Sequence, residues 1–143
     1  MKREPIYSKK GYGTYSRLLG NTYADVDFSR QEVRFYRDGV LKFSCSVVTG
    51  NQARGDATPT GTYFIMNKLR NVILKGDDYE SPVSYWMGIT PTGIGFHDAS
   101  WRKEFGGDIY QTAGSHGCIN TPKDKMEELY DMVQIGTPVV MFY

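Results

Sequence analysis

Residues 31–50 read QEVRFYRDGVLKFSCSVVTG, and the fold class turns on them. Asp38-Gly39 is a dipeptide that accepts positive φ angles, and it sits between two runs of strand-forming residues, so the stretch predicts a β-hairpin with a tight turn. In the second run Leu41, Phe43, Cys45 and Val47 alternate with Lys42, Ser44 and Ser46. That period of two puts Cys45 on the apolar face as a small hydrophobe, not as a disulfide partner or reactive thiol.

The same reading extends in both directions. TYADVDF, residues 22–28, alternates Ala24, Val26 and Phe28 against Tyr23, Asp25 and Asp27 and predicts a half-buried strand with its polar side outward. Residues 50–61 form a polar loop punctuated by Pro59 and Gly61, after which TYFIMN, residues 62–67, resumes as a strand. From 69 to 98, short apolar runs broken by Gly, Pro and Asp predict short strands and long loops; Tyr85 and Trp86, just after Pro82, either join the core or line a cleft. Only residues 121–136 read as a good helix: Met126, Leu129, Tyr130 and Val133 recur at helical spacing, Thr121 caps, Pro122 suits the first turn and Gly136 the stop. The tail TPVVMFY returns as a buried strand that closes the sheet. The expectation is a mainly β domain with one late helix and no internal repeat.

Length and composition narrow the function classes. A chain of 143 residues supports one domain and one core without a disulfide scaffold. It is 40% hydrophobic with a net charge of +1, and its Lys and Arg are scattered among acids. No basic stripe, zinc-finger spacing or P-loop points to nucleic acid or nucleotide. No apolar run is long enough to cross a bilayer, and the opening MKREPIYSKKGYG lacks the apolar centre of a signal peptide. Taken alone those features read as cytosolic; the polar lead over residues 1–20 equally suits a linker or N-terminal extension ahead of a domain spanning 21–143.

Chemistry concentrates in GSHGCIN, residues 114–120. Both histidines of the chain lie near Cys118: His116 two positions before it, and His97 with twenty residues intervening. A thiol attacks as its thiolate and needs a neighbouring base, a role that suits His97 at the end of the glycine-bearing strand GIGFHDAS. Asp98 can orient that base through its carboxylate or its backbone carbonyl. The carbonyl is favoured because adjacent side chains of a strand point to opposite faces. Gly117 lets backbone and substrate approach closely, and the amides at 116–118 are candidates to face a developing oxyanion. One cysteine with two histidines supplies only three metal ligands at a spacing that matches no common zinc site, so no metal and no cofactor is expected. By themselves Cys and His support a thiol enzyme of unspecified class.

GIGFHDASWR followed by SHGCIN resembles the YkuD-type L,D-transpeptidase family, whose signature is a histidine, a gap of some twenty residues and a Ser/Thr-His-Gly-Cys box. The resemblance extends over about residues 21–143, through TYADVDFSRQEVRFYRDG, TPTGTY, SPVSYWM and GTPVVMFY. It implies a β-sandwich with a lid-like hairpin over the active cleft, the lid falling in LRNVILKGDDYESPVS. It also implies cysteine acyl transfer on peptidoglycan stem peptides, both donor and acceptor. Cys118 attacks the carbonyl of the third residue, a diamino acid, D-alanine leaves a tetrapeptide donor, and a second stem's amine forms a 3→3 cross-link; water as acceptor gives carboxypeptidase activity instead. Carried over by position, Cys118 is the nucleophile, His97 the base and Asp98 the residue whose carbonyl orients it. Ser115, His116 and Gly117 shape the nucleophile loop, and Tyr85, Trp86, Arg102 and Asn120 are substrate contacts. The family works on the wall side of the membrane, so the resemblance implies a longer native chain with an anchor or wall-binding domains. Two readings compete with it: a sortase-like enzyme, with Arg102 as its arginine, and a non-catalytic wall-binding module. Catalysis implies a thiol that ionises well below free cysteine; a binding module implies an ordinary one.

Overall fold

A computed structural model describes residues 20–77 and 79–143. The lead or linker expected at 1–20 therefore lies, but for Gly20, outside the described residues. Among the described residues nine strands form two sheets, and two helices attach to them. In chain order the strands are β1 (Tyr23–Asp27), β2 (Glu32–Arg37), β3 (Val40–Ser46), β4 (Gly61–Phe64), β5 (Asn67–Lys75), β6 (Glu80–Gly88), β7 (Gly95–Asp98), β8 (Ile119–Thr121) and β9 (Pro138–Phe142). The helices are α1 (Ile109–Thr112) and α2 (Lys123–Met132).

The hairpin at Asp38-Gly39 forms as its sequence requires: φ is 53° at Asp38 and 78° at Gly39, and β2 pairs antiparallel with β3 across this turn. The five-stranded sheet runs β3-β2-β1-β9-β4, with β9 parallel to β1; the four-stranded sheet runs β5-β6-β7-β8. Ala24, Val26, Phe35, Val139 and Met141 from the first sheet meet Met87, Phe96 and Ile119 from the second, and Met126 and Leu129 of α2 complete this core. Cys45 packs against it half-buried, on the face its alternation indicated.

Four expectations are corrected. The polar side of β1 is not outward: Tyr23, Asp25 and Asp27 are buried as deeply as their apolar neighbours. β1 is an interior strand, and the burial is tolerated because Arg34 Nε on β2 donates to Asp25 Oδ1 at 2.8 Å while Tyr23 stacks on Tyr36 at 5.0 Å between centroids. The short strands expected after residue 69 are in fact a nine-residue pair, β5 and β6. Its pattern escapes a period-two reading because β5 is largely solvent-exposed on both faces, so no apolar alternation is required of it. Helix α2 spans 123–132, without a Thr121 cap: Thr121 belongs to β8 and its hydroxyl donates to Ile119 O, leaving Pro122 at the cap position. Finally α1 is a second, single-turn helix, too short to show a period.

The buried Arg34 gives the fold a testable weakness. Its guanidinium lies 2.8 Å from Asp25 and 3.6 Å from Asp27, with Glu32 at 2.9 Å on the rim. Arg34→Ala removes a buried cation that pairs with both acids, and unfolding by urea should show a loss of about 3–5 kcal/mol. A loss below about 1 kcal/mol would mean that the acids find other compensation.

Candidate active site

His97 and Cys118 reach one groove from neighbouring strands. β7 runs parallel to β8 with His97 opposite Asn120 and Phe96 opposite Ile119. Because side chains alternate along a strand, His97, Asn120 and Cys118 share one face, while Phe96 and Ile119 enter the core. The groove has a volume of about 390 Å³ and is lined by Cys118, His97, Trp86, Trp101, Arg102 and His116 among others. Across it lies the β5–β6 hairpin, which contributes Ile73, Lys75 and Tyr79. Tyr79 stacks on the His116 ring with centroids 4.4 Å apart, so the hairpin touches the nucleophile loop directly.

The imidazole of His97 is buried and held between Trp86 and Trp101, at centroid distances of 6.2 and 5.8 Å. Its Nδ1 lies 2.8 Å from the backbone carbonyl oxygen of Asp98. A carbonyl can only accept, so Nδ1 carries the proton and Nε2 is left as the basic nitrogen. The Asp98 carboxylate points the other way: it accepts the amides of Ser84, at 3.0 Å, and Tyr85, at 2.8 Å, where β6 leaves β7. One residue thus orients the His97 imidazole through its backbone and anchors the root of the hairpin through its side chain. The second connection has no signal in the sequence.

The nucleophile loop is stitched from within and clamped from outside. Ser115 Oγ donates to Cys118 O at 2.5 Å and accepts the Gly117 amide at 3.1 Å. Gly117 adopts φ 128°, a left-handed conformation that side chains rarely take, and a Cβ there would meet Ile94 at 2.8 Å. From the polar loop at 50–61, Thr58 Oγ1 donates to Gly117 O at 2.6 Å and accepts the Gly50 amide at 2.9 Å. Arg54 Nη2 donates to Ser115 O at 2.9 Å and its Nε to Asp56 at 2.5 Å. Sequence reasoning passed over Thr58 and Arg54, because a hydroxyl or guanidinium in a polar loop looks the same whether it faces water or braces a site. Trp101 was also missed, although it lies within the quoted GIGFHDASWR.

Two expectations about these residues change. Tyr85 does not line the groove: it neighbours Trp86 on β6 and so points to the opposite face, where it packs in the core beside Tyr130 at 5.1 Å. The Gly117 amide is not free for an oxyanion, being engaged by Ser115 Oγ. Asn120 is buried at the groove floor, Arg102 lines the wall, and His116 stands exposed at the rim.

The electrostatics also depart from a pre-ionised thiol. Burial pushes the Cys118 thiol up, opposed by a hydrogen bond from the Gly95 amide, and its Sγ lies 3.4 Å from Gly93 O. Burial likewise pushes His97 down, opposed by the Asp98 carbonyl and carboxylate and assisted by the Arg102 charge. The resting pair is therefore neutral thiol and neutral imidazole. Cys45 is pushed up to about 12 by burial. In the folded protein iodoacetamide should modify Cys118 with a pH midpoint above that of free cysteine and leave Cys45 unmodified at pH 8, as read by peptide mass spectrometry. A Cys118 midpoint at or below the free value would contradict this picture.

A two-sheet β fold whose adjoining strands set a thiol and an oriented imidazole in one hairpin-covered groove defines a thiol-bearing β-sandwich domain. The chain belongs to the L,D-transpeptidase catalytic domain family (YkuD), whose profile matches residues 21–141. It is 33% identical over 120 residues to probable L,D-transpeptidase 3 of Mycobacterium tuberculosis, covering 76% of this chain and 41% of that protein. It is 30% identical over 140 residues to L,D-transpeptidase 1 of the same organism, covering 91% and 52%. The chain thus spans about half the length of these curated relatives. Among solved structures, an Enterococcus faecium L,D-transpeptidase mutant superposes with a TM-score of 0.83 at 44% identity, covering 87% of this chain and 51% of that one. The catalytic domain of the E. faecium enzyme acylated by ertapenem does so with a TM-score of 0.75 at 46% identity, covering 85% and 97%. Family membership sets the sortase-like alternative aside.

Proposed function

We propose that this domain catalyses 3→3 cross-linking of peptidoglycan by cysteine acyl transfer. The observation that carries the reading is the placement of Cys118 and the Nδ1-protonated His97 on one face of adjoining strands, in one groove of about 390 Å³. The donor's third-residue carbonyl approaches Cys118 Sγ. His97 Nε2 takes the thiol proton as the S–C bond forms, and the resulting oxyanion is met by the amides of His116 and Cys118. Collapse expels D-alanine, which receives the proton from His97, and leaves a thioester. The side-chain amine of a second stem then attacks, His97 again serving as base, and the cross-link releases Cys118. Water in place of the amine gives the carboxypeptidase outcome. Neutral resting partners mean that proton transfer accompanies attack instead of preceding it.

Acyl transfer from a β-lactam to Cys118 is the economical test, since the E. faecium relative is acylated by ertapenem. Incubated with ertapenem, this protein should gain one covalent adduct on Cys118 by mass spectrometry, and Cys118→Ala none. An unmodified wild-type protein that still binds stem peptides would favour the wall-binding module. The reaction substrate lies outside the cytoplasmic membrane, so this reading assigns the domain to the wall side, with peptide stems as partners and residues 21–143 as the catalytic unit. No helix of the described residues is long and apolar enough to cross a membrane.

A further inference from the structure

The groove wall holds a cation whose protein partners are incomplete. Arg102 ends a turn closed by its own amide donating to Ala99 O at 3.1 Å, and its Nη1 donates to Ala113 O at 3.0 Å. Its Nε is buried with no hydrogen-bond partner, and among the described residues no carboxylate lies within ion-pair distance of it. A buried N–H without an acceptor costs free energy, and most proteins avoid leaving one. Arg54, the other guanidinium against this loop, grips Ser115 O across Gly114 and has Asp56 as its own acid. Of the two arginines flanking the segment that leads to the nucleophile, one is matched by a carboxylate and one is not. The unmatched one shares the groove with Cys118 and His97.

We infer that Arg102 docks a carboxylate of the donor peptide, so that the groove selects donors by negative charge as well as by shape. The inference rests on the transpeptidase reading for the identity of the peptide. A guanidinium fork suits a carboxylate, which it can bind through two parallel hydrogen bonds. Burial and the nearby Arg54 charge both lower the Arg102 pKa, so an arriving anion would relieve a strain already present. Two donor groups have the required chemistry: the terminal carboxylate that departs with D-alanine, and a side-chain carboxylate on the third residue where its diamino acid carries one.

The sources separate in a binding experiment that needs no turnover. Titration calorimetry on Cys118→Ala would compare a free tetrapeptide, the same peptide amidated at its C-terminus, one amidated at the third side chain, and one amidated at both. The free peptide should bind Cys118→Ala/Arg102→Gln about tenfold or more weakly than Cys118→Ala, with partial rescue in Arg102→Lys. Amidating the recognised carboxylate should reproduce that loss and make the peptide indifferent to Arg102; the amide that does so identifies the source. The inference is overturned if Arg102→Gln changes affinity less than twofold, if the doubly amidated peptide loses as much as the free one, or if no charge-dependent binding is detected. Thermal melts of each variant guard against unfolding as the cause. D-alanine release by the wild type is scored separately: absent release with Arg102-dependent binding would sink the reaction and spare the inference, and the converse result would do the opposite.

Discussion

Under the proposed reaction, Cys118→Ala and His97→Ala should each lower D-alanine release from a tetrapeptide donor by about 10³-fold or more, while the melting temperature stays within a few degrees of wild type. The size of the effect follows from the division of labour. Without Sγ there is no atom to carry the acyl group. Without His97 the thiol, held neutral by burial, loses the one imidazole that the Asp98 carbonyl orients on the face it shares with Cys118. The pH profile carries the sign of the same assignment. His97 is pushed below its ordinary value of 6.5, so the enzyme stays competent as pH falls through 6.5 and loses activity only below that, when the imidazole becomes protonated. A variant of either residue that keeps full activity, or an acid limb well above pH 6.5, would remove His97 and Cys118 from the roles given them.

Gly50→Ala is expected to be the most damaging single methyl in the chain. A Cβ at Gly50 would land on the backbone carbonyl oxygen of Asp56 and 2.7 Å from the Thr58 amide, with no flexible side chain able to move aside. The turn at 56–58 must back away, and with it Thr58, whose hydroxyl links Gly50 to Gly117. Stability should fall by about 3 kcal/mol, seen as a melting temperature lower by roughly 10 °C, and acylation by ertapenem should slow beyond what that loss explains. Gly55→Ala is the control in the same loop. Gly55 has a positive φ, 83°, but nothing lies within 4 Å of its Cβ position, so only about 1 kcal/mol of backbone strain is expected. Equal effects at the two positions would show that the clamp on the nucleophile loop is not what Gly50 supports.

Local chemistry was readable from the chain wherever it depends on neighbours in sequence. Asp38-Gly39 dictates its turn, the alternation around Cys45 fixes which side of β3 meets the core, and the strand rule already directs the Asp98 carboxylate away from His97. What stayed hidden depends on partners far along the chain. Whether Asp25 faces water or Arg34 depends on where β2 pairs, and its sequence neighbourhood is the same in either case. The parity that separates Tyr85 from Trp86 is visible, but which of the two faces the groove is decided by β7 on one side and α2 on the other. Gly50 and Thr58 read as ordinary loop residues because their value lies in a contact with Gly117, 59 positions beyond Thr58. The paired boxes at 93–102 and 114–120 were legible as one groove because a thiol and two imidazoles so near one another are residue types that fold stability alone does not demand.

The insertion of β9 between β1 and β4 bears on when this protein acquires its shape during synthesis. Until residues 138–142 have left the ribosome, one of the two sheets exists only as the hairpin layer β1-β2-β3 and a solitary ribbon at 61–64, with a bare seam between them. A nascent chain in that condition should be vulnerable to proteases up to the moment that seam is filled.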